Sequence, residues 1–108
     1  MISLNRFKPI KISKPAEEDL KEIADYTLKQ WGGAQRKAYL DLFKHFFKRL
    51  SRGDRKVCLL LKDREDIDVG LQSFTIKKHV VFLRVTEHEI SIVRVLHSRM
   101  DHERHLHK

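Results

Sequence analysis

Two short apolar runs dominate the last third of the chain: His79-Val80-Val81-Phe82-Leu83-Arg84-Val85 and Ile90-Ser91-Ile92-Val93-Arg94-Val95-Leu96. The polar tetrapeptide Thr86-Glu87-His88-Glu89 separates them. Both runs are rich in β-branched residues. Brief apolar runs bounded by polar turn residues predict buried strands, so the pair reads as a hairpin at the centre of a sheet. Leu71 through Ile76 reads as a further strand with Phe74 and Ile76 on one face, and Lys77-Lys78 as the basic turn that leads into the hairpin.

The N-terminal half changes period. Ile10 and Ile12 alternate with Lys11, which predicts a short strand. Pro9 cannot donate to a ladder and so favours an edge or a strand start. Pro15 opens a helix in which Leu20, Ile23, Ala24, Thr27, Leu28 and Trp31 follow helical spacing. Glu17, Glu18 and Asp19 load its first turn with the charge that suits a helix N-terminus. Gly32-Gly33 stops it. A second helix runs from about Ala34 to Leu50, with Ala38, Tyr39, Leu42, Phe43, Phe46 and Leu50 on one face and Phe47 outside that set.

Ser51 to Gly70 carries no clear period. Val57-Cys58-Leu59-Leu60-Leu61 suits either a short strand or a turn of helix, and Lys62 to Asp68 is charged enough to be a surface excursion. The order strand, helix, helix, three-strand meander predicts an α+β fold. In it an antiparallel helical hairpin packs on one face of a four-stranded sheet, with the first strand at an edge or beside the last strand.

Length and charge narrow the setting. A chain of 108 residues supports one domain over its whole length, with a single modest core. Lys plus Arg is 23 against 15 for Asp plus Glu, a net charge of +8 with a sequence pI near 9.8. Such an excess favours nucleic acid, an acidic protein, or a protein already bound to nucleic acid. Cys58 is the only cysteine, so an internal disulfide is excluded; within its apolar run it reads as a small buried side chain rather than a nucleophile. No stretch approaches the roughly 20 apolar residues that cross a bilayer, and no leader-like segment opens the chain. A cytoplasmic protein with no membrane partner is expected.

Candidate chemistry is sparse. Arg84 and Arg94 stand in otherwise apolar strands, and arginine is seldom fully buried without a partner, so each must reach a carboxylate, a strand end or a groove. A two-residue turn puts them on opposite faces and a three-residue turn on one; the sequence leaves this open. Arg36, Lys37, Lys44, His45, Lys48 and Arg49 on the second helix read first as a solvated face and second as a polyanion contact. His97, His102, His105 and His107, with Asp101 and Glu103, can be drawn as a zinc or nickel cluster. Terminal segments, however, rarely supply the second shell a rigid site needs, so no metal or cofactor is expected. Nucleophile-elbow, phosphate-loop and Cys-x-x-Cys motifs are absent, and no catalytic residue is assigned. The residues expected to meet a partner are Arg84, Arg94, His97, Ser98, Arg99 and Arg104, the last four lying at or beyond the end of the last strand.

The run Ile90-Ser91-Ile92-Val93-Arg94-Val95-Leu96-His97 leading into Ser98-Arg99-Met100-Asp101-His102-Glu103-Arg104-His105-Leu106 resembles the C-terminal signature of the ParE branch of the ParE/RelE toxin superfamily. Ala16 to Thr27, Trp31-Gly32, Tyr39-Leu40, Gly70 to Phe74 and His79 to Phe82 match in order and spacing. The resemblance covers about Ile10 to Leu106. It departs at Val57 to Asp68, in place of a Pro/Gly-containing loop, and at Gln72, where arginine is common. It implies the toxin of a type II toxin-antitoxin pair, held by a ParD-like antitoxin with an acidic C-terminal segment. The ParE branch poisons DNA gyrase, with indirect contact to DNA; the RelE branch cuts messenger RNA on the ribosome. RelE-type cleavage uses basic groups and often a tyrosine over the scissile phosphate. No tyrosine follows Tyr39, which favours a gyrase inhibitor over an enzyme.

Overall fold

Ser13 sets the entry to the first helix. Its hydroxyl accepts from the Ala16 N–H at 3.1 Å and donates to the Val93 carbonyl at 2.8 Å, so one side chain both caps the helix and fastens it to the sheet. The computed structural model describes residues 7–106. It contains β1 (Ile10–Ile12), α1 (Lys14–Trp31), α2 (Gly33–Ser51), α3 (Arg55–Leu60), β2 (Lys62–Asp63), β3 (Gln72–Ile76), β4 (His79–Val85), β5 (Ile90–His97) and α4 (His102–Leu106). Gly32, at φ 92°, separates α1 from α2, a backbone state that a side chain would strain.

The five strands run β1-β5-β4-β3-β2. β1 lies parallel to β5 with Ile10 opposite Ile90, and the remaining pairs are antiparallel. The α+β order predicted from the pattern is the one observed, with β1 at an edge and beside the last strand. Among the described residues the sheet has five strands rather than four because Lys62 and Asp63 extend the ladder of β3, and two charged residues give no alternation to read.

The main core lies between the helical hairpin and one sheet face. Ile23 of α1 and Phe43, Phe46 and Leu50 of α2 meet Ile76, Val81, Leu83, Ile90, Ile92 and Val95. Phe46 stacks on Phe74 with ring centroids 4.2 Å apart, and Phe47 packs against the same cluster. Leu28 and Trp31, read as part of the buried stripe of α1, are 41% and 69% exposed, lying outside the core cluster in the last turns of the helix; Ala38 and Leu42 of α2 are exposed as well.

A smaller cluster of Leu71, Val80, Phe82 and Leu96 lies apart from the first and is covered by Ile67 and by Leu106 of α4. The charged excursion is thus a cover for part of the sheet, with the Arg64 guanidinium 5.6 Å from the Phe82 ring centre. Cys58 departs from its expectation: it is exposed. The run is a helix, so Val57 and Leu61 turn inward four residues apart while Cys58, Leu59 and Leu60 point outward.

Candidate partner-binding surface

The two strand arginines are engaged within the fold. The β4–β5 turn has four residues between paired Val85 and Ile90, and Val93 is an extra residue that shifts the register, so Arg84 opposes Ser91 and Arg94 opposes Phe82. Such a bulge re-aims nearby side chains. The Arg94 guanidinium ends on Asp19 of α1, with Nε donating to Oδ2 at 2.7 Å and Nη2 to Oδ1 at 2.8 Å. Asp19 Oδ2 also accepts the Val95 N–H at 2.9 Å, a ladder donor beyond the reach of β1. These hydrogen bonds hold the Arg94 pKa above its ordinary value. Arg84 donates to Asp68 at 2.5 Å and to the Val69 carbonyl at 3.4 Å, latching the excursion to β4.

The remaining four candidates gather at and beyond the end of the last strand. His97 faces His79 across the β4–β5 ladder, ring centres 5.3 Å apart and edge to face. Its Nδ1 accepts the Arg99 N–H at 3.1 Å, and its carbonyl accepts from His102 Nε2 at 2.9 Å. The Ser98 N–H donates to the Lys78 carbonyl at 2.8 Å. The chain is therefore pinned where it leaves β5, and it presents the exposed Arg99 and Arg104 outward. Among the described residues neither guanidinium has an ion-pair or hydrogen-bond partner. Arg104 lines a surface hollow of about 440 Å³ with Met100, Asp101 and His105.

One constellation was missed in reading the sequence. Tyr39 Oη lies 2.7 Å from His79 Nδ1, joining α2 to the start of β4. Burial pushes the Tyr39 pKa up, opposed by a backbone hydrogen bond from Lys78. Burial, with His97 as a second cause and Asp19 opposing, pulls His79 down to about 4. The imidazole is neutral at pH 7, and with Tyr39 it forms a hydrogen-bonded pair. The only signal in the sequence was a polar residue, Tyr39, on the core face of a helix, which requires a partner without naming it. No three His, Cys, Asp or Glu side chains converge as a metal site among the described residues, and His107 lies outside them.

A helical hairpin over a meander, with β1 returning parallel to β5, defines an α+β fold also found in toxin-antitoxin assemblies. A chain of the "Chromosomal ParDE TA system from P. aeruginosa" shares it with a TM-score of 0.67, over 85% of this chain and 97% of that one at 19% identity. The family described as "ParE toxin of type II toxin-antitoxin system, parDE" matches residues 10–102. Toxin ParE1 of Mycobacterium tuberculosis is 36% identical over 98 residues, covering 88% of this chain and 94% of the relative. Toxin ParE of Escherichia coli is 31% identical over 91 residues, covering 83% and 84%. The chain belongs to the ParE toxin family, and its partner by class is a ParD-type antitoxin.

Proposed function

We propose that this protein arrests growth by inhibiting DNA gyrase and that the cognate antitoxin neutralises it. The observation that carries the reading is the pair of exposed guanidinium groups, Arg99 and Arg104, without an ion-pair partner among the described residues and presented just past the end of β5, where His97 and Ser98 pin the chain. A gyrase poison needs a surface that binds the enzyme better in its cleaved-DNA state than at rest, because a ligand shifts an equilibrium only by its differential affinity. Exposed cations near DNA held by an enzyme meet that need without a catalytic group. Arg84 and Arg94 then act as supports, holding the excursion and α1 in place.

The purified protein should inhibit supercoiling and accumulate cleaved plasmid in the presence of gyrase, while leaving ribosome-bound messenger RNA intact. One observation favours a second reading, ribosome-dependent RNA cleavage: the Tyr39–His79 pair can pass a proton. Site-specific cuts in translated message, lost in Tyr39→Phe, with gyrase unaffected, would replace the first reading by the second.

A further inference from the structure

Cys58, Leu59 and Leu60 form a run of exposed apolar residues on α3, Leu59 at 77% and Leu60 at 66%. The helix beneath them is fixed. Val57 is buried in the main core and Leu61 packs against it. Asp54 Oδ1 caps the helix by accepting the Lys56 and Val57 N–H groups at 2.9 and 3.4 Å, while Oδ2 is held by Arg49 Nε at 2.9 Å. Two adjacent leucines exposed on an anchored helix make a rigid apolar surface open to contact.

The border of this patch has one dominant sign. Arg55, Lys56 and Lys62 are exposed, and among the described residues none of the three is in an ion pair. The nearby acids Asp54 and Asp63 each accept a neighbouring backbone N–H, at Lys56 and Glu65 respectively. Beside the patch, β2 pairs with Gln72 and Ser73, so among the described residues β3 from Phe74 to Ile76 has no strand on its outer side. An incoming chain there meets apolar side chains, cations and open backbone together.

These properties select the occupant. A second copy would set the same cations against themselves, and a nucleic acid offers negative charge but no side chains to cover the leucines. An acidic peptide with interspersed apolar residues satisfies both. We propose that α3 is the docking face for such a segment of the cognate antitoxin, an assignment that rests on the partnership proposed above and gives it a location.

Cys58 supplies the probe, being the only thiol in the chain. Maleimide alkylation is to be timed on the full-length toxin alone over a range of concentrations, and in complex with the protein of the adjoining reading frame. In the complex the rate should fall roughly tenfold or more, because a covered thiol loses access to reagent. In the toxin alone the rate should not depend on concentration. Leu59→Glu with Leu60→Glu should keep the circular dichroism spectrum and toxicity of the parent, weaken antitoxin binding by roughly tenfold to a hundredfold, and kill cells that co-express the antitoxin. Full Cys58 reactivity in a neutralised complex, or unchanged binding by the double variant, overturns the assignment while leaving the partnership intact. Protection that grows with toxin concentration alone replaces the antitoxin by a second copy, and loss of toxicity in the variant gives the patch to the target. If the adjoining protein forms no complex at all, the partnership fails and the docking face with it.

Discussion

Asp19 accepts three hydrogen bonds, two from Arg94 and one from the Val95 N–H, so a single carboxylate ties α1 to the exit strand of the hairpin. The side chains are only 11% and 23% exposed, and a bidentate charge-assisted pair of this kind is far more costly to halve than to lack. Asp19→Ala should cost about 2–3 kcal/mol, by leaving a guanidinium and a backbone donor without partners; Asp19→Asn, which keeps an acceptor, should cost less. Urea unfolding measures both, and an unchanged midpoint in Asp19→Ala would remove the pair from the account of stability. His79 gives the pH dependence. Its pKa is about 4 in the folded protein against an ordinary 6.5, so between those values the unfolded chain binds the extra proton. Stability from this group is complete above pH 6.5 and is lost as pH falls toward 4. The ring is partly exposed to screening, which reduces the loss to roughly 1–2 kcal/mol. Urea midpoints at neutral and at mildly acidic pH should differ in the wild type, and His79→Gln should flatten that part of the curve.

Elements divide into those that make the frame and those that face a partner. The frame is the hairpin of strands under the hairpin of helices, and it was legible: β-branched runs around Thr86 to Glu89 gave β4 and β5, and a 3.6-residue period stopped by Gly32-Gly33 gave α1 and α2. The segment from Ser51 to Gly70 was not legible because α3 and β2 are too short for a period to show. They are held by a cap at Asp54 and by the end of a neighbouring strand. The chain beyond β5 faces outward, and there Arg99→Ala and Arg104→Ala should reduce toxicity while shifting stability by no more than about 0.5 kcal/mol, as surface changes do. Growth assays beside thermal melts test this; full toxicity in folded variants would move the active surface, with the basic residues of α2 the next candidates. Arg84→Ala should behave oppositely, sparing those cations while loosening the excursion by about 1 kcal/mol through loss of the Asp68 and Val69 contacts.

At the scale of the whole molecule, the +8 net charge acts at a distance that single contacts do not. If the antitoxin segment is acidic, raising salt from about 0.05 to about 0.5 M should slow association far more than it speeds dissociation, because screening weakens steering before it reaches covered contacts. Stopped-flow mixing separates the two rates. An association rate indifferent to salt would mean that apolar burial, at α3 or elsewhere, controls the encounter as well as the hold.

The sequence by itself determined the order of the main strands and helices, the α+β class and the family, since periodicity, turn residues and motif spacing are local properties that the chain carries before it folds; it left β1 either at an edge or beside the last strand, and the fold made it both. The sequence also required that Arg84 and Arg94 find partners. Which partners they found was decided only in three dimensions. Asp19 lies 75 residues from Arg94 and Tyr39 lies 40 from His79, and a bulge of one residue at Val93 sets where Arg94 stands in the ladder. Asp19, read along the chain, was helix-terminus charge; in the fold it is the anchor of the last strand. Cys58, read as core, became surface because a helix buries one side of an apolar run and leaves the other in water. Contacts of that range depend on how layers meet, and no window of sequence contains both sides of the meeting.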